Sequence, residues 1–141
     1  MIEIKVFSKF NDKILDFLID ESFLLFVKLK GFQNISQNDI QILKDKLRTL
    51  YISDKQESQI YVAFLDNVII GCACITYDGY LRDLFVKEEY QHHGIGSLLL
   101  RHISYDTSNI TLTTYPELAG FYSKNGFTLI KQHKDFIQMK K

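Results

Sequence analysis

No excess of either charge marks this sequence: Lys and Arg number 17, Asp and Glu number 17, and the formal net charge is zero. A phosphate backbone is held by releasing counterions to basic side chains, so a nucleic-acid partner is disfavoured. The lysines between Lys131 and Lys141 read instead as a device that keeps a terminal strand soluble. Long apolar runs are missing too. Phe23 to Val27 falls far short of the roughly 20 apolar residues that span a bilayer, and Met1 to Val6 lacks the basic head and apolar centre of a secretory leader. The expectation is a soluble, cytoplasmic protein with no membrane partner. Cysteine is confined to Cys72 and Cys74, two apart in an apolar run that reads as a strand, where they would share a face. Without a second pair this is a poor zinc site, and two buried thiols in a reducing compartment are expected. Pro116 is the sole proline, and no repeat or Pro-, Gly- or Ser-rich linker interrupts the chain. Residues 1–141 are therefore expected to form a single domain.

What is present suits an ordinary core. With 141 residues, 46% of them hydrophobic, the chain can bury enough surface to fold without staples. Ile2, Ile4 and Val6 alternate with polar residues, the period of a half-buried strand. Asn11 is placed to cap a helix bearing Ile14, Leu15 and Leu18. That helix either runs on through Leu25, Phe26 and Leu29 to Gly31 or breaks near Asp20 to Ser22. Ser36 offers the next cap, with Ile40, Leu43, Leu47 and Leu50 on one stripe. Gln59–Leu65 and Val68–Tyr77 read as strands joined by an Asp66-Asn67 hairpin turn, and Tyr80–Val86 as a third strand. A helix over Ile95–Tyr105 places Leu98, Leu99, His102 and Ile103 at helical spacing. Ile110–Thr114 is a strand, Pro116 opens a short helix that ends at Asn125-Gly126, and Phe127–Lys131 and Phe136–Lys140 close the chain as strands. The fold class predicted is α/β (α+β), with helices covering the faces of a mixed sheet.

One segment carries chemistry. Tyr80 to Val86 runs through Lys87-Glu88-Glu89-Tyr90 into Gln91-His92-His93-Gly94-Ile95-Gly96-Ser97 and then an amphipathic helix. Glycines at a helix start let a ligand approach the backbone. The first-turn N–H groups have no partner within the helix and sit at the positive end of its dipole, a ready site for phosphate oxygens. A dinucleotide fingerprint would need glycine at Leu99, and a P-loop would need Gly-Lys-Ser/Thr where Gly96-Ser97-Leu98 stands, so neither fits.

The segment resembles the GNAT superfamily of N-acetyltransferases, whose signature is Gln or Arg, two residues, Gly, one residue, then Gly or Ala after a strand. Gln91-His92-His93-Gly94-Ile95-Gly96 matches it. Ala119-Gly120-Phe121-Tyr122-Ser123-Lys124-Asn125-Gly126-Phe127 resembles the family's last helix and following strand. The resemblance extends over nearly the whole chain and is weakest over the first 55 residues. It implies a mostly antiparallel central sheet of about six to seven strands, flanked by about four helices, and acetyl-coenzyme A as donor. It further implies that the backbone of Leu84, Phe85 and Val86 pairs with the pantetheine arm. The amides of Gln91, His92, His93, Gly94, Ile95, Gly96 and Ser97 would hold the pyrophosphate. A main-chain N–H left free where the sheet splays would polarise the thioester carbonyl. Leu84 and Val86 would equally serve the core, and adjacent His92 and His93 in a turn are ill-placed to share one metal ion.

Tyr122 corresponds to the family's usual general acid. A thiol of pKa about 8.5 ionises at pH 7 for only ~2 kcal/mol, and a phenol near 10 is a reluctant donor, so Tyr122 is expected to act mainly by hydrogen bonding to sulfur. The alternative is that it only packs against the sheet. The base faces a larger cost. Freeing the lone pair of an alkyl ammonium of pKa about 10.4 costs roughly 4–5 kcal/mol at pH 7. Tyr80 and Arg82 occupy the positions where many relatives carry Glu or His. Asp78 and Asp83 lie nearby, but strand alternation turns Asp83 to the other face unless a bulge intervenes. Asp83 is the candidate catalytic base, and water leading to bulk solvent is the alternative. Tyr115 stands where many relatives have Asn, which puts one cofactor contact in doubt.

The resulting expectation is an enzyme that acetylates a small-molecule primary amine by direct attack. Transfer to a protein N-terminus or lysine, and a non-catalytic acyl-coenzyme A sensor, are the competing readings. Asp16, Asp20 and Glu21 could meet a cationic acceptor or form a solvated face. Phe23–Val27 could line an acceptor pocket, mediate a homodimer or join the core.

Overall fold

A computed structural model describes residues 1–31, 34–53 and 58–141. The order is β1 (Ile2–Phe7), α1 (Asp12–Lys30), α2 (Gln37–Ser53), β2 (Ser58–Leu65), β3 (Val68–Thr76), β4 (Tyr80–Val86), α3 (Ile95–Asp106), β5 (Thr111–Thr114), α4 (Ala119–Lys124), β6 (Thr128–Gln132) and β7 (Ile137–Lys140). Single 3₁₀ turns precede α3 at Glu88–Tyr90 and α4 at Pro116–Leu118. The seven strands form one sheet in the order β1-β2-β3-β4-β5-β7-β6, and every neighbouring pair is antiparallel except β4 and β5. This is the mixed sheet that the sequence pattern predicts, and the mostly antiparallel arrangement with four helices that the family resemblance implies.

Local chemistry sets the boundaries. Asn11 accepts a hydrogen bond from the Ile14 amide at 2.8 Å, and Gly31 ends α1 in a left-handed conformation. The helix between them is unbroken, so the stop falls at Gly31 and not near Ser22. Ser36 takes the Asp39 amide at 3.1 Å and starts α2. Asp66 and Asn67 both have positive φ, the pairing that a two-residue hairpin matching strand twist requires.

The sheet separates two cores. On one face α3 and α4 lie over Tyr61, Ala63, Ala73, Ile75 and Leu81. On the other, α1 and Tyr51 of α2 lie over Ile60, Val62, Cys72 and Cys74. Period-two alternation along β2 and β3 explains the sorting. Cys72 and Cys74 are buried, unpaired thiols within the second core. The predicted stripe of α2 is corrected at its end. Leu50 is 65% exposed, while its neighbour Tyr51 turns inward and is the buried residue of that helix. Arg48 pairs with Asp16 and Lys44 with Asp20, so two of the four acidic residues of α1 bind it to α2. In β1, Ile4 and Phe7 reach the cores but Ile2 and Val6 are exposed, as suits an edge strand. Within the Phe23–Val27 cluster Leu24 faces solvent, and its neighbours are half-buried. Among the described residues no helix is long and apolar enough to cross a membrane.

Helix α3 buries Ile95, Leu99, Leu100 and Ile103 against the sheet. It comes so close that a Cβ on Gly71 would lie 3.2 Å from both Ile95 Cγ2 and Leu99 Cδ1. Interiors this dense lose contacts that truncation cannot restore. Leu99→Ala should therefore cost about 3 kcal/mol and lower Tm by about 10 °C, as calorimetry would read, with the chain still folded at 25 °C.

Candidate active site

Strands β4 and β5 pair only at Tyr80 with Thr111 and Leu81 with Leu112. Beyond Leu81 the two diverge, and among the described residues the β5-facing edge of β4 has no ladder partner as far as Val86. On its other edge β4 remains bonded to β3, but with an irregularity: Leu81 stands opposite Ile75 and Asp83 opposite Cys74, so Arg82 is an extra residue. The bulge resets the alternation. Leu81 and Leu84 both face the α3 core, while Arg82 and Asp83 both face a cleft between β4, α1 and α2. The bulge on which the candidacy of Asp83 depended is present.

The cleft has a volume of about 570 Å³ and is lined by Ser22, Leu47, Leu50, Tyr51, Ser53, Tyr80, Arg82 and Asp83. Tyr51 donates its phenol hydrogen to Asp83 Oδ1 at 3.1 Å, and its oxygen lies 3.3 Å from Ser22 Oγ. Burial raises the Asp83 pKa above the usual carboxylate range, and the Tyr51 hydrogen bond and the Arg82 charge offset this only in part. Desolvation and the Asp83 charge in turn push the Tyr51 phenol up. Asp78 is engaged elsewhere, accepting the Thr76 hydroxyl in the turn before β4. Tyr51 and Ser22 were not singled out from the sequence. One hint existed, since Tyr51 directly follows the Leu50 of the apolar stripe, but nothing local to α2 says that it meets β4.

Tyr122 lies in α4, 6% exposed, edge-on to Phe121 and Phe127 with ring centroids 5.1 and 5.6 Å away. Its hydroxyl has no hydrogen-bond partner among the described residues. Burial pushes its pKa up, and the Asp83 carboxylate adds to the effect. The two candidate catalytic residues therefore sense each other where the sheet is open, although one packs with the α3 core and the other faces the α1–α2 side.

The turn from β4 to α3 places the remaining candidates at one helix start. Gln91 Nε2 donates to the Val86 carbonyl at 2.9 Å, tying the turn to the end of β4. His92 has a positive φ, and His93 Nδ1 lies 2.8 Å from the Gln91 carbonyl. Gly94 caps α3 with φ of 81°, and Leu98 gives the first helical bond back to its carbonyl. The amides of Ile95, Gly96 and Ser97 thus begin the helix with no helical acceptor of their own. The residues present fit an anionic group: a positive helix end, a left-handed glycine and no atom within 4 Å where a Gly94 Cβ would sit.

The two glycines differ in what they do. A Cβ on Gly96 would lie 2.9 Å from Phe121 Cζ, so its bare backbone admits the ring that meets Tyr122 edge-on. Gly96→Ala should cost about 1–3 kcal/mol through overpacking and displace Phe121, read as a lower Tm and altered Phe121 and Tyr122 ring signals in NMR spectra.

The family model described as an acetyltransferase (GNAT) domain matches residues 56–129. Among solved structures, the PaiA N-acetyltransferase from Thermoplasma acidophilum, in complex with coenzyme A, superposes with a TM-score of 0.73 at 22% identity, covering 100% of this chain and 98% of that one. An acyl-CoA N-acyltransferase from Pseudomonas aeruginosa gives 0.70 at 12% identity, with 100% and 99% covered. An acetyltransferase from Thermus thermophilus gives 0.70 at 16% identity, with 98% and 96% covered. No curated protein sequence matches significantly. The matched segment holds both the diverging strand and the helix start that follows it, and by that match the chain belongs to the GNAT acetyltransferase family.

Proposed function

We propose that residues 1–141 act as one N-acetyltransferase domain that moves an acetyl group from acetyl-coenzyme A to the primary amine of a small-molecule acceptor by direct attack. The observation that carries this reading is the parting of β4 from β5 directly beside the open start of α3. It leaves an unpaired strand edge at Leu84, Phe85 and Val86 to bond an extended arm. Amides from Gln91 to Ser97 stand at one end of that edge for a diphosphate, and the Asp83 cleft stands behind it for an amine.

Acetyl-coenzyme A, when bound, supplies an activated thioester. The chain supplies positioning and charge. An unpaired backbone N–H of β4 polarises the carbonyl, and a preorganised donor of this kind is worth about 3–4 kcal/mol in the transition state. Asp83 takes the ammonium proton before attack. Burial narrows the gap between the two groups, because it raises the carboxylate pKa and weakens an ammonium's hold on its proton. Tyr122 hydrogen-bonds the departing sulfur. Its pKa lies above that of a thiol, so keeping its proton while donating the bond is the lower-energy course. The engagement of Asp16 and Asp20 with α2 favours a small acceptor over a peptide. Free thiols at Cys72 and Cys74 accord with a cytoplasmic setting.

Incubation with acetyl-coenzyme A and a panel of amino acids, polyamines and aminoglycosides should consume thioester and yield a product heavier by one acetyl group in mass spectrometry. Binding of coenzyme A without transfer to any amine would instead establish a sensor. Tyr122→Phe should lower kcat about 10- to 100-fold and leave KM for acetyl-coenzyme A little changed, the loss of one hydrogen bond to a charged sulfur. Asp83→Asn should remove the acid limb of the kcat/KM profile. It should also raise Tm at pH 7, because a buried carboxylate with a raised pKa costs folding stability once it is ionised. That gain should vanish below the ordinary aspartate range, where folded and unfolded chains both hold the proton.

A further inference from the structure

The Tyr51–Ser22 pair behind Asp83 has no assigned role. Tyr51 is 8% exposed, and its ring packs edge-on against Phe10 at 5.9 Å, so the phenol is held by the second core and not by the cleft. From that fixed ring the hydroxyl reaches across to β4 and meets Oδ1 of Asp83, which the bulge at Arg82 has turned toward it. Ser22 Oγ of α1 lies 3.3 Å from the same phenol oxygen. A tyrosine hydroxyl donates one hydrogen bond and accepts others. With its hydrogen given to the carboxylate, it must accept from Ser22. Three elements that are remote in sequence are thus linked in one chain of hydrogen bonds, from Ser22 through Tyr51 to Oδ1 of Asp83. Oδ2 has no hydrogen-bond partner among the described residues and belongs to a side chain that lines the cleft.

We propose that Tyr51, braced by Ser22, is the positioning residue of the reaction: it commits Oδ1 of Asp83 to a fixed hydrogen bond so that Oδ2 receives the proton of a cationic amine in the cleft. This rests on Asp83 acting as the base. The proton passes from the ammonium nitrogen to Oδ2, and the nitrogen keeps the electron pair with which it bonds the acetyl carbon. As the carbon–sulfur bond breaks, the thiolate leaves and takes up the second proton that the nitrogen sheds. After transfer, the carboxyl returns its proton to solvent through the cleft, so Tyr51 stays neutral throughout. The groups that face Asp83 are Tyr51 from α2, Cys74 from β3, Tyr122 from α4 and its own neighbour Arg82. Of these, Tyr51 is the one that donates a defined hydrogen bond to Oδ1.

The test needs no knowledge of the acceptor. In full-length protein labelled with ¹³C at aspartate side-chain carboxyls, Asp83 is assigned by its loss in Asp83→Asn and titrated by NMR. Tyr51→Phe keeps the ring and deletes the donor, and should move the Asp83 midpoint up by about one pH unit. Ser22→Ala should move it in the same direction by less. An Asp83 midpoint in Tyr51→Phe equal to that of the parent overturns the proposal, and Ser22→Ala provides the same reading if Tyr51→Phe does not fold. The acid limb of kcat/KM, measured with whichever panel amine turns over fastest, should follow the midpoint upward. A limb that stays put while the midpoint moves would confine Tyr51 to a structural role and also overturn the proposal. A limb that survives in Asp83→Asn would refute Asp83 as the base, an outcome distinct from either.

Discussion

The site depends on a sheet that is not allowed to close. Among the described residues β4 and β5 are the only parallel neighbours, and their register lasts for two residue pairs before they separate. An unpaired strand edge in a protein interior is costly, since each backbone polar group needs a partner. The extra residue at Arg82, on the opposite edge of β4, bends the strand where the separation begins. A sheet paired along its full length would be more stable and would have no place for an extended ligand arm. The opening is a cost in stability that is offset by the two cores on either side.

Those cores are built to hold the opening at a fixed width. Gly71 and Gly96 are both required for contact distances: one lets α3 settle on β3, the other admits Phe121 of α4. Tyr122 follows Phe121 directly, so the packing that locates the helix start also locates the phenol beside the gap. On the opposite face α1 and α2 are joined by Asp16–Arg48 and Asp20–Lys44. These exposed pairs are each worth little, but they keep the wall that carries Tyr51 against the wall that carries Ser22. The electrostatics follow from enclosure. Desolvation is the largest cause of the raised pKa at Asp83, Tyr51 and Tyr122 alike.

Much of this was legible locally. Helix caps at Asn11, Ser36 and Gly31, the Asp66-Asn67 turn and the element order all depend on residues within one turn of each other. The structure reproduces them. The helix start at Gly94 was legible for the same reason, because orphan amides and a left-handed cap are properties of one contiguous segment. The α2 stripe was misread at Leu50. Helical periodicity says that a face exists but not which partner defines its centre, and β4 and α1 together drew Tyr51 inward instead.

Sequence alone thus determined the elements, their order, the family resemblance and the helix start, since each is set by short-range sterics and hydrogen bonding. Tertiary structure decided which face Asp83 presents, because one inserted residue reverses strand alternation and no residue type marks a bulge in advance. It also decided that Tyr51 meets that carboxylate across 32 residues of chain, with Ser22 against the phenol. A contact over that separation is made by the packing of α1 and α2 on the sheet, which no local pattern encodes.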